Sequence, residues 1–118
     1  MAQRLQTRGN HCELVVSRKE VDNRLCAKYE SFTFCKSPGV PFSPSPLKLL
    51  RFVYESLGSL LFAYKLIQRL KPDAVITFGG FTSPPFGIVA HLMRCTLVVH
   101  EANRVPGKAI RFLARLAD

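Results

Sequence analysis

Residues 71–107, "KPDAVITFGGFTSPPFGIVAHLMRCTLVVHEANRVPG", decide the fold of this chain. "DAVITF" reads as a β-strand, Gly79-Gly80 as a tight turn, the run from Ser83-Pro84 as a capped helix, and "TLVVH" as a second strand. The following "EANRVPGKAIRFLARLAD" reads as a turn and another helix. Strands alternating with helices at this spacing predict βαβ units, a parallel sheet and right-handed crossovers. With 74–78 and 96–100 as neighbouring parallel strands, Gly79-Gly80 and the segment His100 to Asn103 face one crevice at the carboxyl edge of the sheet. Open α/β sheets bind ligands there.

Upstream, Ser45-Pro46 supplies a cap and first-turn proline for a long helix that stops near Leu70, at Lys71-Pro72. Leu50, Val53, Leu57, Leu60, Tyr64 and Ile67 recur at three- and four-residue steps and are expected to form its buried face. Before it, "SPGVPFSPSP" reads as a loop or extended connector. "HCELVVS" suits a strand, "FTF" a further short strand, and "AQRLQTRGN" the last turns of a helix closed by Gly9.

At 118 residues and 47% hydrophobic, the chain suits one compact domain. Its 17 Lys and Arg against 8 Asp and Glu leave a formal charge of +9, which favours anionic partners. The basic residues are dispersed and accompany no nucleic-acid-binding motif, so nucleic acid is not an expected partner. The four cysteines have no metal-ligand spacing and are expected to be reduced, mostly buried cytosolic thiols. "SLGSLLFAY" falls well short of the ~20 apolar residues that cross a bilayer.

The crevice residues each have a structural and a functional reading. Gly79-Gly80 either only turns the chain or lets backbone N–H groups approach a phosphate, helped by the helix that begins near Pro84. "GGF" lacks the dinucleotide fingerprint, so no nicotinamide cofactor is expected. His100 and Glu101 are either structural or solvated groups, or proton acceptors and sugar-hydroxyl ligands. Asn103 is the strongest candidate for a hydroxyl-rich ligand because its amide both donates and accepts; its alternative is a turn or cap. Arg104 and Lys108 read as solvated charges.

The ordered run of Lys-Pro-Asp, strand, Gly-Gly-aromatic, Ser, Pro, helix, strand, His-Glu-x-Asn, Pro-Gly and a helix ending in Ala-Asp resembles the MurG family of bacterial peptidoglycan glycosyltransferases. The match is tight over 71–118 and looser but collinear over 1–70. The resemblance implies a Rossmann-like open parallel sheet and the acceptor-side domain of a two-domain, inverting enzyme. Such an enzyme moves N-acetylglucosamine from UDP-N-acetylglucosamine to the 4-hydroxyl of the muramyl-pentapeptide carried on undecaprenyl diphosphate, as a peripheral protein at the cytoplasmic face of the bacterial inner membrane. No cofactor or metal is implied.

By the same resemblance, Gly79, Gly80, Phe81 and Ser83 fall on the family's second glycine-rich turn, and His100, Glu101 and Asn103 on its His-Glu-x-Asn segment. Together they form the expected substrate-binding set, with His100 and Glu101 as weak candidates for the catalytic base. Three positions depart: Phe81 stands where Tyr is common, Pro84-Pro85 where Gly-Pro is frequent, and Ala102 where Gln is usual. Residues 1–118 are expected to be a partial N-terminal domain, without the first strand, the first glycine-rich loop that carries the proposed base, and the C-terminal donor domain. The alternative is a non-catalytic acceptor-binding or membrane-recruiting subunit that needs a separate donor-domain chain. On the long helix, Leu50, Tyr54, Leu57 and Leu61, with Lys48, Arg51 and Lys65 nearby, form a second stripe that suits an anionic membrane surface or, alternatively, packs inside the protein.

Overall fold

The computed structural model describes residues 1–17, 24, 26–38, 46–101 and 104–118, with the backbone alone described for 46–49. The expected connector 37–46 therefore lies largely outside the described residues. The chain divides into two compact units, Met1–Ser37 and Pro38–Asp118.

In the first unit, helix α1 (Ala2–Gln6) ends as "AQRLQTRGN" predicts. Gly9 N–H donates to Gln6 O at 3.0 Å and Asn10 N–H to Leu5 O at 3.2 Å, the paired bonds of a Schellman closure. Strands β1 (Glu13–Val16) and β2 (Thr33–Lys36) pair in parallel from Glu13–Thr33 to Val16–Lys36. Ser37 N–H extends the ladder to Val16 O at 2.8 Å.

The second unit runs α2 (Pro46–Leu70), β3 (Ala74–Thr77), α3 (Ser83–Leu92), β4 (Thr96–Val99) and α4 (Lys108–Leu113). β3 and β4 are parallel neighbours, in register from Ala74–Thr96 to Thr77–Val99, as the βαβ reading requires. Lys71 adopts φ 46° after the last turn of α2, its N–H donates to Ile67 O at 2.8 Å, and Pro72 prevents continuation. The core of this unit draws Ala63, Leu66 and Ile67 from α2, Phe86, Val89 and Ala90 from α3, Leu97 from β4, and Ile110 and Leu113 from α4.

The expected buried face of α2 is corrected. Ile67 is buried and Leu60 half-buried, but Leu50, Val53, Leu57 and Tyr64 are exposed. The buried side instead follows Ser59, Ala63, Leu66 and Ile67, at helical spacing. Small side chains win there because α2 packs against α3, where Phe62 meets Phe86 edge-on at 6.2 Å between ring centres. Ser59 tolerates burial because its hydroxyl is satisfied by backbone carbonyls, Pro38 O at 2.5 Å and Glu55 O at 2.9 Å. A second correction concerns the thiols: Cys12, Cys26, Cys35 and Cys95 are half-buried rather than buried.

Candidate functional site

The parallel pairing of β3 and β4 sends both chains out at the same edge, and the segments that follow them form the candidate site. Beyond the last register pair, His100 N–H still donates to Thr77 O at 2.8 Å. That bond fixes the start of the His-Glu segment beside the end of β3. Phe78 and His100 are the next cross-strand neighbours, their rings 5.4 Å apart between centres and inclined at 72°. Phe78 is 56% exposed and His100 half-buried.

Gly79 and Gly80 turn the chain with φ of 81° and 78°, a region that L-residues avoid because Cβ approaches the backbone. Gly79 has a second reason to lack a side chain: a Cβ there would lie 3.1 Å from Cγ1 of Ile110, so α4 packs directly on the turn. At Gly80 a Cβ would meet nothing within 4 Å, and this part of the turn opens to its surroundings. The glycines thus turn the chain, and at Gly80 the space a side chain would take is open.

Ser83 begins α3 but does not cap it as the sequence predicts. The N-cap residue is Thr82, without a side-chain capping bond, and the Ser83 hydroxyl instead turns back to donate to Gly79 O at 2.5 Å. Ser83 is buried and ties the helix to the glycine turn. Pro84 and Pro85 in the first turn carry no N–H, so this helix start offers fewer donors to an anion than most.

Glu101 is half-buried, and its Oε2 accepts the Gly107 N–H at 3.3 Å. Gly107 is the N-cap of α4, so the carboxylate ties residue 101 to the start of that helix. Asn103 itself and Ala102 lie outside the described residues. Phe81 is half-buried near the turn, and Arg104 and Lys108 are exposed. Thr77 is 4% exposed, and its Oγ1 has no partner among the described residues.

The edge therefore assembles Gly79, Gly80, Phe81, Ser83, His100 and Glu101 in one neighbourhood, through the strand register and the 79–83 turn. Sequence reasoning missed Phe78, Thr77 and Ile110. The signal for Phe78 was the register itself, since equal extension of β3 and β4 places it opposite His100. Among the described residues, no three His, Cys, Asp or Glu side chains gather as a metal site.

On the second stripe of α2, Tyr54 is 79% exposed, Leu50 72%, Leu61 61% and Leu57 56%, so these four side chains are uncovered. Arg51 is also exposed and donates to Glu55 Oε1 at 2.7 Å, which raises its pKa further through that bond and the carboxylate charge. The Lys48 side chain lies outside the described residues. Among the described residues, no helix is long and apolar enough to cross a membrane.

The chain resembles known proteins over its whole length. The glycosyltransferase family 28 N-terminal domain matches residues 1–118. An Opitutus terrae protein named UDP-N-acetylglucosamine--N-acetylmuramyl-(pentapeptide) pyrophosphoryl-undecaprenol N-acetylglucosamine transferase is 42% identical over 118 residues, covering 100% of this chain and 31% of that protein. A Protochlamydia amoebophila protein of the same name is 40% identical over 76 residues, 64% of this chain and 20% of the relative. The crystal structure of Acinetobacter baumannii MurG superposes with a TM-score of 0.78 at 28% identity, over 98% of this chain and 32% of that one. The chain spans about a third or less of the length of these relatives.

Proposed function

This chain belongs to the family of glycosyltransferase family 28 N-terminal domains, and we propose that it is the acceptor-side part of an inverting N-acetylglucosaminyltransferase of peptidoglycan synthesis. The donor is UDP-N-acetylglucosamine and the acceptor the muramyl-pentapeptide on undecaprenyl diphosphate. The observation that carries this reading is the alignment of the whole chain with a transferase of that name.

In this reading the acceptor sugar lies at the carboxyl edge of β3 and β4. Its 4-hydroxyl oxygen attacks the anomeric carbon of N-acetylglucosamine from the face opposite UDP. The carbon–oxygen bond to the diphosphate breaks, UDP departs with the electron pair, and a base takes the hydroxyl proton. Backbone N–H groups of the glycine turn supply fixed dipoles for diphosphate charge. Gly79, Gly80, Phe81, Ser83, His100, Glu101 and Asn103 make up the proposed substrate-binding set. Within it Asn103 contacts sugar or nucleotide, and Ser83 acts by holding the turn. The Glu101 bond to Gly107 supports a positioning role for that carboxylate rather than the base.

The chain works with a donor domain in this scheme. The uncovered Leu50, Tyr54, Leu57 and Leu61 rest against the cytoplasmic face of the bacterial inner membrane as a peripheral surface. Arg51 and Lys48 contribute charge there, Arg51 less than a solitary arginine because Glu55 offsets it.

The test is transfer of labelled N-acetylglucosamine to the lipid-linked acceptor by the full-length protein, beside its Asn103→Ala variant. Activity in the wild type with a loss of at least an order of magnitude in the variant is expected. Near-normal transfer by Asn103→Ala removes that residue from the site, and no transfer by the wild type removes the function. Sedimentation with anionic liposomes tests the surface separately: retention of Leu57→Glu and of the Lys48/Arg51 charge reversals at wild-type levels defeats it.

A further inference from the structure

We infer that Phe78 is a positioning residue for His100, setting the direction in which the imidazole faces the acceptor. This inference rests on the proposed function and deepens it.

Geometry carries the argument. The β3–β4 register ends at Thr77–Val99, and the bond from His100 N–H to Thr77 O continues it by one step. Phe78 and His100 are thereby opposite residues of parallel neighbours, and side chains at opposite positions stand on the same side of a sheet. Their rings meet edge to face at 5.4 Å, inside the range where an aromatic pair gains attraction beyond simple burial.

Among the described residues the two nitrogens of the His100 imidazole have no hydrogen bond, and the contact with the Phe78 ring is the one the geometry gives. The two residues after Phe78 are glycines, and the direction in which a Gly80 side chain would point is open. An imidazole that meets a sugar hydroxyl needs one orientation, and a free side chain divides itself among staggered rotamers. Phe78, tethered by the end of β3, removes that freedom from one side. A single exposed Phe is ordinary on a protein surface; pairing with the His100 imidazole at the edge of the sheet gives this one its role.

The experiment is a double-mutant cycle on kcat/KM for the lipid-linked acceptor, in the full-length protein, with Phe78→Ala, His100→Ala and the double variant. Phe78→Ala is expected to lower kcat/KM by about two- to ten-fold, the range of such a ring contact, through a raised acceptor KM and an unchanged KM for UDP-N-acetylglucosamine. Adding Phe78→Ala to His100→Ala is expected to cost nothing further. Phe78→Tyr should restore the wild-type value and Phe78→Leu should not, although both keep the apolar bulk that folding needs.

Independent, multiplicative losses overturn the inference, as does full rescue by Leu. An active protein in which His100→Ala changes nothing overturns it too, while leaving the proposed function standing. If the wild type transfers no sugar, the proposed function falls. The His100 ring resonances then decide: a shift in Phe78→Ala and none in Phe112→Ala keeps the ring coupling, and equal spectra end it.

Discussion

A methyl group on Gly87 would lie 2.3 Å from Cδ2 of Leu113, so α3 and α4 touch at a point where no side chain fits between them. Leu113 is fully buried, so any shift of its side chain has to displace other packed atoms. Gly87→Ala should therefore destabilise the fold by about 1–3 kcal/mol, the usual cost of overpacking, despite alanine's better helix propensity. Gly58 in α2 is the control, because a Cβ there meets nothing within 4 Å. Gly58→Ala should stabilise by about 0.5–1 kcal/mol. Denaturant midpoints check both, and equal signs contradict the packing.

The glycine turn separates backbone strain from contact. Gly79 and Gly80 share a positive φ, which costs any L-residue about 1–2 kcal/mol. Ile110 crowds only Gly79. We expect Gly79→Ala to be the more destabilising of the two, and the added change Ile110→Val to narrow the difference. An identical loss at both positions in urea unfolding would show that Ile110 yields freely.

Ser83 joins this turn to α3 by donating its hydroxyl to Gly79 O. Ser83→Ala should lose about 0.5–1.5 kcal/mol, while Ser83→Thr keeps the donor. In the full-length protein the alanine variant should also show a raised acceptor KM, since the turn then holds its N–H groups less firmly. A normal KM together with the stability loss would confine Ser83 to the fold.

The βαβ core was readable because each signal was local: apolar strands of ordinary length, a Gly-Gly turn and proline at a helix start; the glycine closure at Gly9 in the first unit was local in the same way. The inner face of α2 was not readable from period alone. Apolar residues occur on several sides of that helix, and the three-to-four spacing of Leu50, Val53, Leu57 and Tyr64 fits an exposed stripe as well as a buried one. What selected the inner face was tertiary, the close approach to α3 that suits Ser59 and Ala63. At the site, sequence order placed His100 and Glu101 at the strand end. It did not show Ser83 turning back to Gly79, Glu101 reaching Gly107, or Phe78 meeting His100, because each needs the turn or the register in three dimensions. Asn103 lies outside the described residues and rests on the proposed reading alone.

Thr77 supplies a prediction of opposite sign. Its buried Oγ1 has no partner among the described residues, and an unsatisfied buried hydroxyl costs about 1–3 kcal/mol. Valine has nearly the same shape without that group and favours strands. Thr77→Val should leave stability unchanged or raise it, with a higher melting temperature as the readout. A clear loss would mean that the hydroxyl finds a partner in solution.

Cys95 links pH to stability and to reactivity. Desolvation raises its thiol above the ordinary 9.0, the carboxylates of Asp73 and Asp118 add to the rise, and a backbone hydrogen bond from Val75 opposes it. The thiol also donates to Pro72 O at 3.2 Å, a bond that needs the proton. Because the folded state holds this proton more tightly than the unfolded state does, the contribution is complete below the ordinary thiol value. It falls as pH rises from there through the raised folded value. Since the thiolate is the nucleophile, iodoacetamide should label Cys95 more slowly at pH 8.5 than it labels a cysteine in an unstructured peptide. Asp73→Asn should speed that labelling by removing one of the two charges that hold the proton on. Labelling at the peptide rate in the wild type, or no response to Asp73→Asn, would contradict the electrostatic account.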